Sequence, residues 1–208
     1  RKRFGLRCGR WLLAPLHRRF APRLRLLASG GAKLAEDPSW RLEALGYQVL
    51  QGYGLVETSS VATFNTPRAN RPGSAGRAPD GVELRIQPVP EMADGEVQIR
   101  GPIVFEGYAD NPEANRASFT ADGWFRTGDL GRLDADGFLH ITGRLKEIIV
   151  MPGGKNVEPE VVEQHYARNG LIAEIAVLEQ DEKLVAIVAP DLEALRASSS
   201  SDIETQMR

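Results

Sequence analysis

Two short apolar runs, each ending in glycines and separated by a helix with start and stop signals, constrain this chain more than any other feature. LRLLAS (24–29) runs into Gly30 and Gly31. Asp37 then suits a helix N-cap, Pro38 the first helical position and Gly46 a left-handed stop. YQVL (47–50) comes next and delivers QGYGLVETSS (51–60) at its carboxyl end. Strand, glycine turn, helix, strand, glycine turn is an α/β pattern, in which ligands gather beyond the carboxyl ends of the strands. Both glycine turns are therefore expected to face one site.

Residues 67–81 read as loop, with Pro67, Pro72 and Pro79 among several glycines. Beyond them the hydrophobic period becomes two. VELRIQ (82–87) and EVQIR (96–100) alternate apolar with polar residues, and FLHIT (138–142) resumes after an Asp136-Gly137 turn, which predicts an antiparallel sheet or distorted barrel. EIIVM (147–151) begins a further strand. A helix over 159–168 and the strands IAEIAVLE (172–179) and KLVAIVAP (183–190) complete a short α+β unit. The serine-rich tail, 198–208, reads as frayed. The expected fold class is α/β plus α+β.

With 208 residues the chain is long enough for one large domain, or a domain and part of another. Its 26 Lys and Arg against 28 Asp and Glu leave a net charge of −2, so overall charge gives no reason to expect a nucleic-acid partner. A single cysteine, Cys8, excludes a disulfide framework and fits a reducing cytosol. No apolar run is long enough to cross a bilayer, so a cytoplasmic location is expected. Residues 1–25 hold nine Lys or Arg and no acid. That pattern suits a membrane-surface or targeting helix, and it suits equally a basic outer helix with Leu13, Leu16, Phe20 and Leu24 as its buried stripe. Pro15 and Pro22 interrupt a long amphipathic helix and favour the second reading; peripheral membrane association stays as its rival. Beginning at Arg1 rather than Met, the chain is expected to be a piece of something longer.

Three polar clusters carry chemistry. In GYGLVETSS (52–60), glycines beside an aromatic let a flat ligand lie on Tyr53 with its edge against backbone, and Glu57 is a hard oxygen ligand suited to Mg²⁺; such a turn is also common as plain structure. In GWFRTGDLG (123–131), Asp129 offers two acceptor oxygens that can take both hydroxyls of a ribose diol, or can stabilise its own turn. In GRLKEIIVMPGGKNVEP (143–159), Arg144 supplies a planar fork matching phosphate or ribose oxygens. Gly153 and Gly154 open a turn for a narrow ligand chain, or simply close a hairpin.

Read in order, SGGAKL, QGYGLVETS, GEVQIRGPIVFEGYADNPEA, GWFRTGDLG and GRLKEIIVMPGGKNVEPEVVE resemble the core motifs of the AMP-forming acyl-CoA synthetases, the adenylate-forming enzyme superfamily, over about residues 24–190. The last motif is most similar to the branch acting on long-chain fatty acids. The resemblance implies the later part of a large nucleotide-binding domain over 1–143, and a hinge with a truncated small domain over 144–208. It implies ATP or AMP, Mg²⁺ and coenzyme A as cofactors, with a fatty acid as the other substrate. Gly30, Gly31 and Ala32 become an adenine-edge turn. Gly52, Tyr53 and Gly54 become the platform on which adenine stacks. Glu57, with Thr58 beside it, becomes the catalytic and metal corner, and Asp129 the ribose clamp. Arg144 matches a nucleotide-contacting arginine and Lys146 the domain hinge, while Gly153 and Gly154 line the pantetheine path.

Two departures from that pattern bear on activity. The family's phosphate-cradling Ser/Thr/Gly loop and a lysine near its C-terminus have no counterpart in these 208 residues, so the expectation is a fragment that alone makes no acyl-adenylate. Val56 stands where the family usually carries threonine. The missing hydroxyl costs a charge-assisted hydrogen bond, roughly 1.5 to 3 kcal/mol, unless Thr58, Ser59 or water replaces it. Val150 likewise stands where some relatives have lysine. Rival readings are a fatty acyl-AMP ligase that loads a carrier protein, and a non-catalytic nucleotide-binding relative.

Overall fold

A computed structural model describes residues 9–32, 34 and 36–197. Cys8 and the 198–208 tail lie outside the described residues, as does the Asp37 side chain. The chain forms two compact units, Arg1–Thr142 and Gly143–Arg208.

The first described elements of the first unit are two short helices, α1 (Gly9–Leu12) and α2 (Ala14–Arg19). The expected buried stripe does not form. Leu16, Phe20 and Leu24 are exposed, and the buried residue of α2 is His17. The break between the two helices is the reason, because helices of one turn or so present no continuous face. The segment docks by other means. The His17 Nε2–H donates to the Leu45 carbonyl at 2.7 Å, and the His17 ring meets Tyr47 edge-on. Gly9 and Gly46 permit the close approach: a Cβ on Gly9 would lie 2.1 Å from the Ala44 oxygen, and one on Gly46 2.4 Å from the Arg10 nitrogen.

The strand-helix-strand unit comes next as β1 (Leu26–Ser29), α3 (Glu36–Ala44) and β2 (Gln48–Tyr53). The helix begins at Glu36, upstream of the expected cap, so Pro38 sits inside its first turn. Gly46, at φ +98°, supplies the left-handed stop. β1 and β2 pair in parallel from Leu26↔Gln48 to Ser29↔Gln51, and β3 (Thr63–Phe64) adds antiparallel to the far edge of β2.

The period-two region forms a four-stranded sheet in the order β4 (Glu83–Pro88), β5 (Gly95–Arg100), β6 (Phe125–Leu133), β7 (Leu139–Arg144). It is an open sheet; no closed barrel occurs among the described residues. Helix α4 (Pro112–Ser118) lies between β5 and β6, capped by the Asn111 side chain, which accepts from the Ala114 N–H. One face of β5 gives Val97 and Ile99 to the core beside Ala62 and Leu139. The other face is polar yet buried, and it stays satisfied through a ladder. Arg85 donates to Gln98, Gln98 to Glu96, and Arg126 to Glu96, while Arg85 and Arg100 both lie on the Trp124 ring.

The turn between β6 and β7 is held by a second cluster. Arg71 bonds Asp134 and Asp136, His140 Nε2 lies 3.0 Å from the Asp134 carboxylate, and the Arg71 and Arg77 guanidinium groups cover Phe138. Burial would raise the Asp134 carboxyl, but His140, the Phe138 and Asp136 N–H groups and Arg71 outweigh it and hold the group well below its ordinary 3.8. A depressed folded value contributes stability above the unfolded pKa and loses it as pH falls. Asp134→Asn is therefore expected to lower the urea midpoint at pH 7, with the gap to the parent protein narrowing steadily below about pH 4. A gap of constant size from pH 7 to pH 3 would contradict this assignment.

The second unit contains the hairpin β8 (Ile149–Val150) and β9 (Asn156–Val157), then α5 (Pro159–Tyr166), the antiparallel pair β10 (Ile172–Gln180) and β11 (Lys183–Pro190), and α6 (Leu192–Ala197). Its α5 stops short of the expected 168, where the Ala167 N–H closes on the Glu163 carbonyl. The Glu163 carboxylate also accepts the Val177 N–H at 2.7 Å, which ties helix to strand.

Candidate nucleotide site

Parallel pairing of β1 with β2 places both glycine turns at one end of the sheet. A Cβ built on Gly30 would lie 4.0 Å from the Gly52 oxygen, whereas Gly31 takes φ +82° and, with Ala32, is exposed. Tyr53 closes β2, half-buried against the Val97–Ile99–Leu139 core. Its hydroxyl donates to Asp129 Oδ2 at 2.5 Å across 76 residues of sequence. Gly30, Gly52, Tyr53 and Asp129 thus belong to one locus.

Asp129 lies inside β6, where the pairing with β5 slips between Glu96 and Gln98 and Gly128 adopts φ +72°. This bulge turns a buried carboxylate towards Tyr53. The Thr127 hydroxyl pins the bulge, donating to the Val97 carbonyl at 2.7 Å and accepting the Asp129 N–H at 3.0 Å.

The bareness of Gly52 and Gly54 has an internal cause. A Cβ on Gly52 would lie 2.3 Å from the Phe64 ring, and one on Gly54 2.3 Å from the Ser60 oxygen. Both positions are glycine because neighbouring chain passes close by. Gly54 admits a tight turn, Leu55 to Ser60, built on a single 3-10 turn at Val56–Thr58. Val56 is 89% exposed there, and Thr58 is fully buried. The Thr58 hydroxyl accepts the Leu55 N–H at 2.9 Å and lies 3.1 Å from the Leu55 oxygen. The Thr58 hydroxyl thus closes the turn. Ser59 donates to the Ile103 carbonyl at 2.9 Å, so both hydroxyls make bonds within the protein.

Glu57 projects from this turn and meets Tyr108, a residue inside the GEVQIRGPIVFEGYADNPEA motif to which the sequence alone gave no role. The Tyr108 hydroxyl donates to Glu57 Oε1 at 2.9 Å, and the Phe105 N–H donates to the Glu57 carbonyl at 2.9 Å. Burial and then the Glu57 carboxylate raise the Tyr108 phenol above its ordinary 10.0, so it remains a neutral donor around pH 7. Among the described residues no group of three or more His, Cys, Asp or Glu could hold a metal ion. One fixed carboxylate suits a Mg²⁺ that takes its remaining oxygens from nucleotide phosphates and water.

Arg144, Lys146, Gly153 and Gly154 belong to the second unit. Arg144 ends β7 and Lys146 lies in the 3-10 turn at Leu145–Glu147; both are exposed. Gly153 and Gly154, at φ +96° and +83°, turn the β8–β9 hairpin, which is closed by Met151 N–H to the Lys155 oxygen at 2.9 Å. Val150 stands exposed beside it.

A family model described as "AMP-binding enzyme" matches residues 10–109. The long-chain-fatty-acid–CoA ligase FadD15 of Mycobacterium bovis is 40% identical over 182 residues, covering 87% of this chain and 29% of FadD15. The chloroplastic long-chain-fatty-acid–[acyl-carrier-protein] ligase AEE15 of Arabidopsis thaliana is 35% identical over 195 residues, covering 85% of this chain and 27% of its own length. Among solved structures, o-succinylbenzoate CoA synthetase of Bacillus subtilis in complex with the acyl-adenylate intermediate OSB-AMP superposes with a TM-score of 0.75 at 28% identity, over 95% of this chain and 43% of that one. The chain thus spans less than a third of the length of these curated relatives.

Proposed function

Because the chain belongs to the AMP-binding, adenylate-forming enzyme family, we propose that it supplies the nucleotide-binding part of an AMP-forming acyl-CoA ligase acting on fatty acids. The observation that carries this reading is the Tyr53–Asp129 bond at the carboxyl end of β2, beside the Gly30 turn. It joins an aromatic face for a base to a carboxylate for a ribose in one rigid locus. Gly30, Gly31 and Ala32 then border the adenine edge, Tyr53 stacks on the ring between Gly52 and Gly54, and Asp129 accepts the ribose hydroxyls. Glu57 holds Mg²⁺, which supplies neutralisation of phosphate charge. Residues 1–143 are the large-domain part. In the part from 144 onwards, Arg144 meets the nucleotide, Lys146 is the hinge, and Gly153 and Gly154 border the pantetheine arm.

The chemistry has two halves. The fatty acid carboxylate attacks the α-phosphorus of ATP and pyrophosphate leaves; the coenzyme A thiol then attacks the acyl carbon, and AMP leaves as the thioester forms. The residues of this chain act by positioning and electrostatics, the main requirements of such a transfer. The similarity to AEE15 supports a carrier-protein thiol as the alternative acceptor. The gene product that contains these residues is expected to exchange labelled pyrophosphate into ATP only when fatty acid is present, and to form thioester with coenzyme A rather than with a phosphopantetheinyl carrier. The 208 residues by themselves are expected to give no exchange. Failure of the whole gene product to exchange with any acyl chain would sink the reading.

A further inference from the structure

The segment GPIVFEGYADNPEAN (101–115) belongs to a motif with no chemical role in the adenylating site described so far, yet it grips the turn that carries Glu57. Three bonds join the two. The Phe105 N–H donates to the Glu57 carbonyl at 2.9 Å, the Ser59 hydroxyl to the Ile103 carbonyl at 2.9 Å, and the Tyr108 hydroxyl to Glu57 Oε1 at 2.9 Å. The first two fix the backbone of the turn, and the third reaches the carboxylate itself.

Tyr108 is held from behind as firmly as it holds Glu57. The Asn115 side chain on α4 accepts the Tyr108 N–H at 2.7 Å and donates to the Tyr108 carbonyl at 2.9 Å. Gly107, at φ +144°, packs against that same amide, where a Cβ would come within 2.8 Å of Asn115 Oδ1. The phenol ring meets Phe105 edge-on at 4.8 Å, and Phe105 in turn packs on Phe119 and Phe125. A tyrosine braced through backbone, amide and ring holds its hydroxyl in a fixed place. A donor fixed on one carboxylate oxygen restricts the rotation that would carry the two oxygens past each other.

We propose that Tyr108 is a positioning residue for the divalent cation, orienting the Glu57 carboxylate through its hydroxyl so that a metal–nucleotide complex meets a ligand already aimed. The proposal rests on the adenylate-forming reading for the presence of that complex. Its logic is that of the partners which orient metal-ligating side chains elsewhere, where loss of the partner typically weakens metal affinity about 10- to 100-fold. Val56 adds to the demand, because its exposed methyl groups offer the phosphates no hydroxyl.

The test uses Tyr108→Phe in the whole gene product, which keeps the ring against Phe105 and removes only the hydroxyl. Calorimetric titrations with ATP in the presence and absence of Mg²⁺, and with AMP, separate the metal contribution from the nucleoside contribution. The expected result is a loss of about tenfold or more in the Mg²⁺-dependent gain in ATP affinity, with AMP affinity and melting temperature unchanged. An unchanged Mg²⁺-dependent gain overturns the positioning role while leaving the adenylate-forming reading intact. A variant that melts lower and loses AMP and ATP affinity together overturns it in favour of a purely structural tyrosine. A parent protein that binds neither nucleotide removes both readings at once.

Discussion

Asp129→Ala lowers AMP affinity by about 100-fold, because two charge-assisted hydrogen bonds to a ribose diol are lost at roughly 1.5 kcal/mol or more each. The same change leaves the half-buried Tyr53 hydroxyl without the carboxylate it now meets at 2.5 Å, so the ring loses its anchor as well. Asp129→Asn separates the two effects. It keeps an acceptor oxygen for Tyr53 and the shape of the bulge, and removes the charge, so affinity falls less than in the alanine variant and the melting temperature hardly moves. Tyr53→Phe completes the set: it removes the link but keeps both the ring and the carboxylate. Calorimetric titration with AMP, beside thermal melts of each variant, distinguishes these cases. An alanine variant that binds AMP like its parent would rule out Asp129 as the ribose acceptor.

What the sequence made legible divides along a physical line. The α/β unit was readable because its signals are local: Gly46 marks its own helix end, and the apolar runs mark β1 and β2. The sheet was readable from alternation, since β4, β5 and β7 keep period two over five or six residues. Leu16 and Phe20 misled because burial depends on what packs against a face, and α2 is too short to carry one. Asp129 was recognised by type, but the bulge that holds it was not legible, because a bulge is a slip against a partner strand and a single strand does not encode it. The two bonds that organise the locus, Tyr53–Asp129 and Glu57–Tyr108, span 76 and 51 residues, and no spacing rule reaches that far. The Gly-Tyr pair at 107–108 was the one local sign of the second, since a glycine at φ +144° beside an aromatic signals a backbone bent to aim a ring.

Gly54→Ala damages the locus from within the protein, and the pattern of damage tells which of two reasons keeps that residue bare. If the glycine exists to let a ligand approach, alanine lowers nucleotide affinity and leaves stability alone. If it exists to let the chain turn, alanine lowers stability first. The geometry favours the turn: the added methyl meets the Ser60 carbonyl oxygen at 2.3 Å and its carbon at 2.6 Å, and backbone cannot swing aside as a side chain does. Relief requires the turn from Leu55 to Ser60 to shift, at about 2 to 3 kcal/mol for an overpacked site, and Glu57 moves with it. Gly52→Ala is the internal comparison. Its methyl meets the Phe64 side chain at 2.3 Å but backbone, the Thr63 oxygen, only at 3.1 Å, so the cost is smaller. The expected order of melting temperatures is parent, then Gly52→Ala, then Gly54→Ala, with a drop of several degrees for the last. Nucleotide affinity in the Gly54 variant then falls because the Glu57 corner has moved, and Mg²⁺-dependent ATP binding suffers more than AMP binding. A Gly54→Ala protein that melts like its parent but fails to bind AMP would reverse the assignment and return the glycine to the ligand.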